Sequence, residues 1–391
     1  MMPCTIDFAN LKYQHELYQD EIESAILKVA RECNFIMGDE VQELERNLEL
    51  FTGAKHAITC SSGTDALLLA MMAIDIKPGD EVITSPFTFI ATAETIALLG
   101  AKPVFVDIEE QSYNIDASKI EEKITSKTKA ILAVSLYGQP AEMKTIQKIA
   151  DKHGLKVIID GAQSFGSTYN GVSDSALGDI STTSFFPAKP LGCYGDGGAV
   201  FTNDEDLAQK MRSLRLHGQT KRYHHKYIGL GARLDTLQAA VLNVKLKYYK
   251  KDLALRQEVA TKYTKALEDL SFPTSNSSCS TSNSSFPTPN SSFPTRLGIS
   301  PPTVAQNTIS AWAQYSVRVK NRDSLQEKLK KAGIPTAVHY PVPLHLQECF
   351  AYLGYKKGDF VVSEIVSQEI MSLPMNPYLT DEEIEYIVGN L

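Results

Sequence analysis

The sequence lacks an apolar run long enough to cross a membrane: its longest, around Ala66 to Ile74, is about half of the roughly 20 residues that a spanning helix requires. Met1 to Asn10 carries neither the basic flank nor the apolar stretch of a secretory leader, so the expected address is the cytoplasm. Paired cysteines are missing too. The six cysteines (Cys4, Cys33, Cys60, Cys193, Cys279 and Cys349) are scattered, with no Cys-x-x-Cys and no histidine at zinc-finger spacing. That pattern argues against a disulfide framework and against a structural metal. No block of Lys and Arg stands out either. With 39 basic against 46 acidic residues and a net charge of −7, nucleic acid is not the expected partner, and an anionic small molecule stays open through local charge.

What the chain does have is material for a large core. Its 391 residues, 43% of them hydrophobic, suggest roughly two domains. From His56 to about Ile180, short apolar runs (HAITC, EVITS, PVFVDI, AILAVSLY, KVIID) alternate with helical candidates at Thr64–Ile74, Ala91–Leu99, Ala117–Ile124 and Ala141–His153. This is the pattern of a mostly parallel α/β sheet. DISTTSFF and GGAVFT read as further strands, followed by a helix at about Glu205–Arg215. A long helix is predicted from near Asp235. The expected division is a large domain over 1–250 and a small C-terminal α/β domain over 251–391, with strands at Trp312–Val319 and Thr336–His339 and a helix at Asp323–Ala332. Between them, about 269–296 divides into the heptads DLSFPTS, NSSCSTS, NSSFPTP and NSSFPTR, a low-complexity repeat read as a mobile surface insertion.

Three motifs carry chemistry together. CSSGTDAL sets Ser62, Gly63 and Thr64 between a strand and a helix, where free N–H groups and the helix dipole favour a phosphate. Alone, Ser62 with Asp65 reads as a plain capping box. VIIDGAQSFG places Asp160 at the carboxyl end of a buried strand, where open α/β sheets hold functional groups. In SFFPAKPLG, two prolines bracket Lys189 beside aromatic neighbours, a setting that restrains the amine and lowers its pKa. A phosphate seat, an aspartate for a ring nitrogen and a lysine for an aldehyde are the three handles of pyridoxal 5'-phosphate.

With those residues in place, the chain resembles the DegT/StrS nucleotide-sugar aminotransferases, which are fold-type I pyridoxal phosphate enzymes. The likeness runs through FIMGDEVQELE, SSGTDALLLA, GDEVITSPFTFIATAE, AKPVFVDI, SFFPAKPLGCYGDGGAVFTND, RLDTLQAA and AVHYPVPL. It implies that Lys189 is the Schiff-base lysine, that Asp160 faces the pyridine nitrogen and that Gln163 lies near the phenolic oxygen. It also implies that Gly63, Thr64 and Ser184 hold the phosphate and that Phe87 lies against the ring. Within the family the resemblance is to enzymes that aminate the 3-keto group of a UDP-2-acetamido-hexuluronic acid with L-glutamate, for bacterial surface polysaccharide. There Arg233, His339 and Tyr340 would bind the substrate carboxylate, in a homodimer whose Arg233 comes from the neighbouring chain. One departure is Gly231, where the family usually has an asparagine that reaches the phosphate from the other subunit. The alternatives are a 4-keto-hexose aminotransferase acting on a UDP- or dTDP-sugar and a non-catalytic cofactor-binding regulator. His224 and His225 lack a third ligand at useful spacing, so no metal is expected.

Overall fold

A computed structural model describes residues 6–269 and 298–391; the heptads lie outside the described residues apart from Asp269. Seven short, buried runs form one sheet: β1 (His56–Cys60), β2 (Glu81–Thr84), β3 (Lys102–Phe105), β4 (Thr128–Val134), β5 (Lys156–Asp160), β6 (Ile180–Ser184) and β7 (Gly198–Thr202). Their order is β1-β7-β6-β5-β4-β2-β3. β2 to β6 pair in parallel, and β7 runs antiparallel between β1 and β6. The register sets Val134 beside Asp160 and Asp160 beside Thr182, so β4 and β5 end at one level and β6 runs two residues further, to Ser184.

Both faces of the sheet are covered, and the strand period of two divides its side chains between them. Leu132 and Ile158 join one core with Leu67, Leu69 and Met71 of α3 (Gly63–Ala73) and Met211 of α6 (Glu205–Leu214). Ile131 and Ile159 join the other with Ile146 and Ile149 of α5 (Met143–His153). A second unit has its own core. Tyr263 and Leu267 of α7 (Thr236–Asp269) pack there with Tyr315, Val317 and Leu373. Its sheet joins β8 (Ile299–Ser300), β9 (Tyr315–Val319) and β10 (Ile370–Leu373), all antiparallel. The helix α7 crosses position 250 without a break, and Leu344, Phe350 and Phe360 pack on Phe105 of the large sheet.

Two expected elements differ. Ala117–Ile124 is not an α-helix but two 3₁₀ turns, Ala117–Lys119 and Glu121–Lys123. Asp116 accepts from the Ser118 N–H and fixes the tight first turn. Thr336–His339 is not a strand. Only Ala337 pairs, with Ser372; the Thr336 hydroxyl accepts from Gln326 Nε2, and His339 Nδ1 lies beside the Ser372 hydroxyl. Among the described residues no helix is long and apolar enough to cross a membrane, and no group of three His, Cys, Asp or Glu side chains is placed to hold a metal.

Candidate active site

The carboxyl ends of the strands and the start of α3 enclose a cavity of about 490 Å³. Asp160 reaches it from the last position of β5 and is 6% exposed. Its Oδ2 accepts from the Thr92 hydroxyl at 2.7 Å and its Oδ1 from the Ala162 N–H at 3.2 Å. Thr92 lies in the first turn of α4 (Ala91–Leu98) and is held in turn by Thr88 at 3.0 Å. Each carboxylate oxygen therefore has a donor, and the group is aimed rather than free.

Lys189 enters from the loop between β6 and β7. Its N–H donates to Phe186 O at 2.8 Å, while its ammonium makes no ion pair or hydrogen bond among the described residues. Desolvation pushes it below the ordinary lysine range, and the charge of Asp160 opposes that shift. At the other end, Ser62 caps α3 by accepting from the Asp65 N–H at 3.0 Å. The capping box expected there is only half formed, because the Asp65 carboxylate accepts from the Ser61 and Ser62 hydroxyls rather than from the Ser62 N–H, and the cap leaves room for a ligand: the Gly63 and Thr64 N–H groups find no acceptor among the described residues and line the cavity with Ser184. Glycine is required at 63, since a Cβ there would meet the Ser184 Cβ at 2.8 Å.

The opposite wall comes from the second unit. His339 Nδ1 lies 2.9 Å from the Ser372 hydroxyl. Burial, reinforced by the Lys189 cation, pushes its imidazole down to about 4, so the ring is neutral near pH 7. Tyr340 accepts from Gln163 Nε2 at 3.0 Å, and Gln163 Oε1 accepts from the Tyr137 N–H at 2.7 Å. Burial holds the Tyr340 phenol in its protonated form, so it keeps a proton to offer the cavity.

Phe87 is misassigned by the sequence reading. It is 1% exposed and packs with Ile108, Tyr113 and Val134 outside the cavity. The phenylalanines on the wall are Phe89 and Phe186, both half exposed, with the Phe89 ring 6.0 Å from that of Tyr340. Arg233 is also outside the cavity, half-buried between Ala232 and Leu234 and with no ion pair among the described residues. Gly231 is exposed, with His217 3.0 Å from where its Cβ would stand. Residues that the motifs did not single out are Phe89, Thr92, Asp196 and Gln314, which is half-buried and has an unpartnered Oε1. The SPFTFIATAE segment held the signal for two of them: a helix opening beside a strand-end carboxylate puts its first-turn hydroxyl within reach.

Behind Asp160 lies a second carboxyl, Asp174, 1% exposed. It accepts from the Ser164 hydroxyl, and its Oδ1 faces the Ser135 hydroxyl without a close hydrogen bond among the described residues. Burial, aided by the Asp160 charge, pushes it up to about 6.

Free N–H groups beside a cradle that a Cβ would fill, an aimed carboxylate and an unpaired lysine suit the phosphate, ring N–H and aldehyde of pyridoxal phosphate. On a seven-stranded, mostly parallel sheet, that arrangement defines a fold-type I pyridoxal phosphate aminotransferase.

Comparison with known proteins narrows the class. Residues 17–391 match the DegT/DnrJ/EryC1/StrS aminotransferase family. The chain is 48% identical over 386 residues to a UDP-2-acetamido-2-deoxy-3-oxo-D-glucuronate aminotransferase of Pseudomonas aeruginosa, covering 99% of each chain. It is 43% identical over 386 residues to a pleiotropic regulatory protein of Geobacillus stearothermophilus, covering 99% of this chain and 97% of that one. Among solved structures it matches DesV of S. venezuelae, in complex with a ketimine intermediate, with a TM-score of 0.90 at 34% identity, covering 99% of this chain and 98% of that one. The chain belongs to the DegT/DnrJ/EryC1/StrS aminotransferase family, and its cofactor is pyridoxal 5'-phosphate.

Proposed function

We propose that this aminotransferase moves the amino group of L-glutamate to the 3-keto group of UDP-2-acetamido-2-deoxy-hexuluronic acid, releasing 2-oxoglutarate and the 3-amino sugar. It would work in the cytoplasm as a homodimer, on the way to a bacterial surface polysaccharide. The observation that carries the substrate is the likeness to the Pseudomonas enzyme along the whole of both chains.

Pyridoxal phosphate, when bound, supplies an aldehyde that carries the amino group between substrates and a ring that takes up the electron pair left by a departing proton. The protein's residues do the rest. Gly63, Thr64 and Ser184 bind the phosphate with N–H and hydroxyl donors. Asp160, aimed by Thr92 and Ala162, holds a proton on the pyridine nitrogen. Phe89 restricts the tilt of the ring. Lys189 Nζ, its basicity tempered by burial, takes the proton from the α-carbon of glutamate and returns one at C3 of the sugar. His339 is neutral, so it serves the uronate as a hydrogen-bond donor through Nε2, alongside the Tyr340 phenol. The charge that matches the carboxylate comes from Arg233 of the second copy, through a planar fork.

The test is amination of the uronic acid beside the neutral UDP-2-acetamido-3-keto-hexose. The wild type is expected to discriminate against the neutral sugar by about tenfold or more, the equivalent of one charge-assisted contact. Equal rates would reject the carboxylate reading, and activity confined to a 4-keto-hexose would shift the substrate to the alternative class. Lys189→Ala should abolish turnover and the change that glutamate makes in the visible absorption of the loaded wild type. If the wild type binds the cofactor and glutamate changes nothing, the regulatory role named for the Geobacillus relative becomes the better reading.

A further inference from the structure

The loop that presents Lys189 runs from Phe185 to Gly197, and its own backbone closes it. The Phe185 N–H donates to Gly197 O at 2.7 Å, and the Cys193 N–H to Phe185 O at 2.8 Å. Gly192 lies so close to the segment before Lys189 that a Cβ there would stand 2.4 Å from Pro187 O. Two side chains of α7 hold this loop from behind. Gln238 Oε1 accepts from the Tyr194 N–H at 2.8 Å, and Lys245 Nζ donates to Gly192 O at 2.6 Å.

Lys245 is an unusual choice for such a task. It is 4% exposed, makes no ion pair among the described residues and sits 5.1 Å from the centroid of the Tyr194 ring. Burial pushes its ammonium down to about 8. An apolar side chain would fill the space without the desolvation cost of a charge. What the ammonium adds is a short, charge-assisted bond to one carbonyl and a hold on one ring, both in the loop, three and five residues beyond Lys189.

We propose that Lys245 is a positioning residue for Lys189: through Gly192 O and Tyr194 it locks the loop, so that the amine is held at the cavity before any ligand arrives. This rests on the role given to Lys189 in transamination. It touches neither cofactor nor substrate.

Lys245→Met, which keeps the length and removes the charge, tests the idea in the full-length protein, with Lys245→Gln as a second variant that keeps a donor. Hydrogen exchange of the amides from Phe186 to Asp196 is measured in the cofactor-free protein, and glutamate kinetics in the holoenzyme. The expected result for Met is about tenfold faster exchange confined to the loop, the effect of losing one charge-assisted hydrogen bond, and a kcat about tenfold lower with KM for glutamate within about twofold. Gln should fall between Met and wild type. Wild-type exchange across the loop in either folded variant would overturn the proposal, and so would loosening that spreads evenly along α7. The exchange result stands whether or not the holoenzyme transaminates, so a failure of the aminotransferase reading shows separately, as a wild type unresponsive to glutamate.

Discussion

Asp174 sits one layer behind the carboxylate that faces the cavity, and its ionisation has a cost. The folded chain keeps its proton up to about pH 6, against an ordinary value of 3.8. Between those values the folded state holds more protons than the unfolded one, so this group's contribution to stability falls as pH rises and stays lost above about 6. Asp174→Asn keeps an acceptor for Ser164 and offers an N–H₂ to Ser135, whose hydroxyl is unpartnered. The variant should be more stable than wild type at pH 7.5 by at most about 3 kcal/mol, with the gain vanishing near pH 4. Urea midpoints across that range would measure it, and a pH-independent difference would refute it. At this scale the sequence was legible for the placement of Asp160 and of the Ser62 cap, because strand and helix ends dictate their surroundings, and for the placement of Lys189 at the cavity, because its flanking prolines restrain the loop. It misled for Phe87 and Phe89. The chain has left β2 after Thr84, so alternation no longer tells which of two aromatics faces inward. The neutral state of His339 was equally hidden, since its cause is burial against a distant lysine.

The start of α3 is the element on which cofactor binding turns. Gly63 lets the helix approach β6 closely enough for its N–H groups and the Ser184 hydroxyl to meet one anion. Gly63→Ala improves intrinsic helix propensity, yet its methyl must push Ser184 aside. The expected outcome is an apparent dissociation constant for pyridoxal phosphate raised by about tenfold, roughly one lost contact to a charged phosphate, with the melting temperature of the cofactor-free protein lowered as well, since the Ser184 Cβ has to shift. Fluorescence titration and a thermal scan read the two effects, and unchanged affinity would remove Gly63 from the phosphate seat. Elements rich in strong helix formers, such as α3 and α7, were readable from the sequence to within a residue or two. Ala117–Ile124 was not, because side-chain capping at Asp116 outweighs a short amphipathic pattern.

For the whole molecule, the unpaired Arg233 gives the proposed dimer a sharp consequence. If one copy lends Arg233 to the lysine of the other, Lys189→Ala and Arg233→Ala subunits are each inactive alone. Mixed by reversible denaturation, they should recover about a quarter of wild-type turnover, since half of the dimers are hybrids and each hybrid has one intact site. No recovery from well-folded hybrids would place Arg233 in its own chain's chemistry. The two-unit plan followed from composition and element order. The way α7 belongs to both units did not, because a sequence pattern shows a helix but not which cores it enters.

That helix also bears on how relatives are recombined. Lys245 and Arg256 stand three turns apart on the same side of α7, about 16 Å along its axis. Lys245 grips the catalytic loop, while Arg256 donates to Trp312 O of the C-terminal unit at 2.9 Å. A chimera joined near position 250, where composition suggests a seam, would splice this single rod but leave each grip with its own parent, Lys245 with the loop at Gly192 and Arg256 with Trp312. A crossover before Thr236 would instead set Gln238 and Lys245 of one parent against the loop of the other, so joins within the rod between the two grips are the ones that should yield folded hybrids.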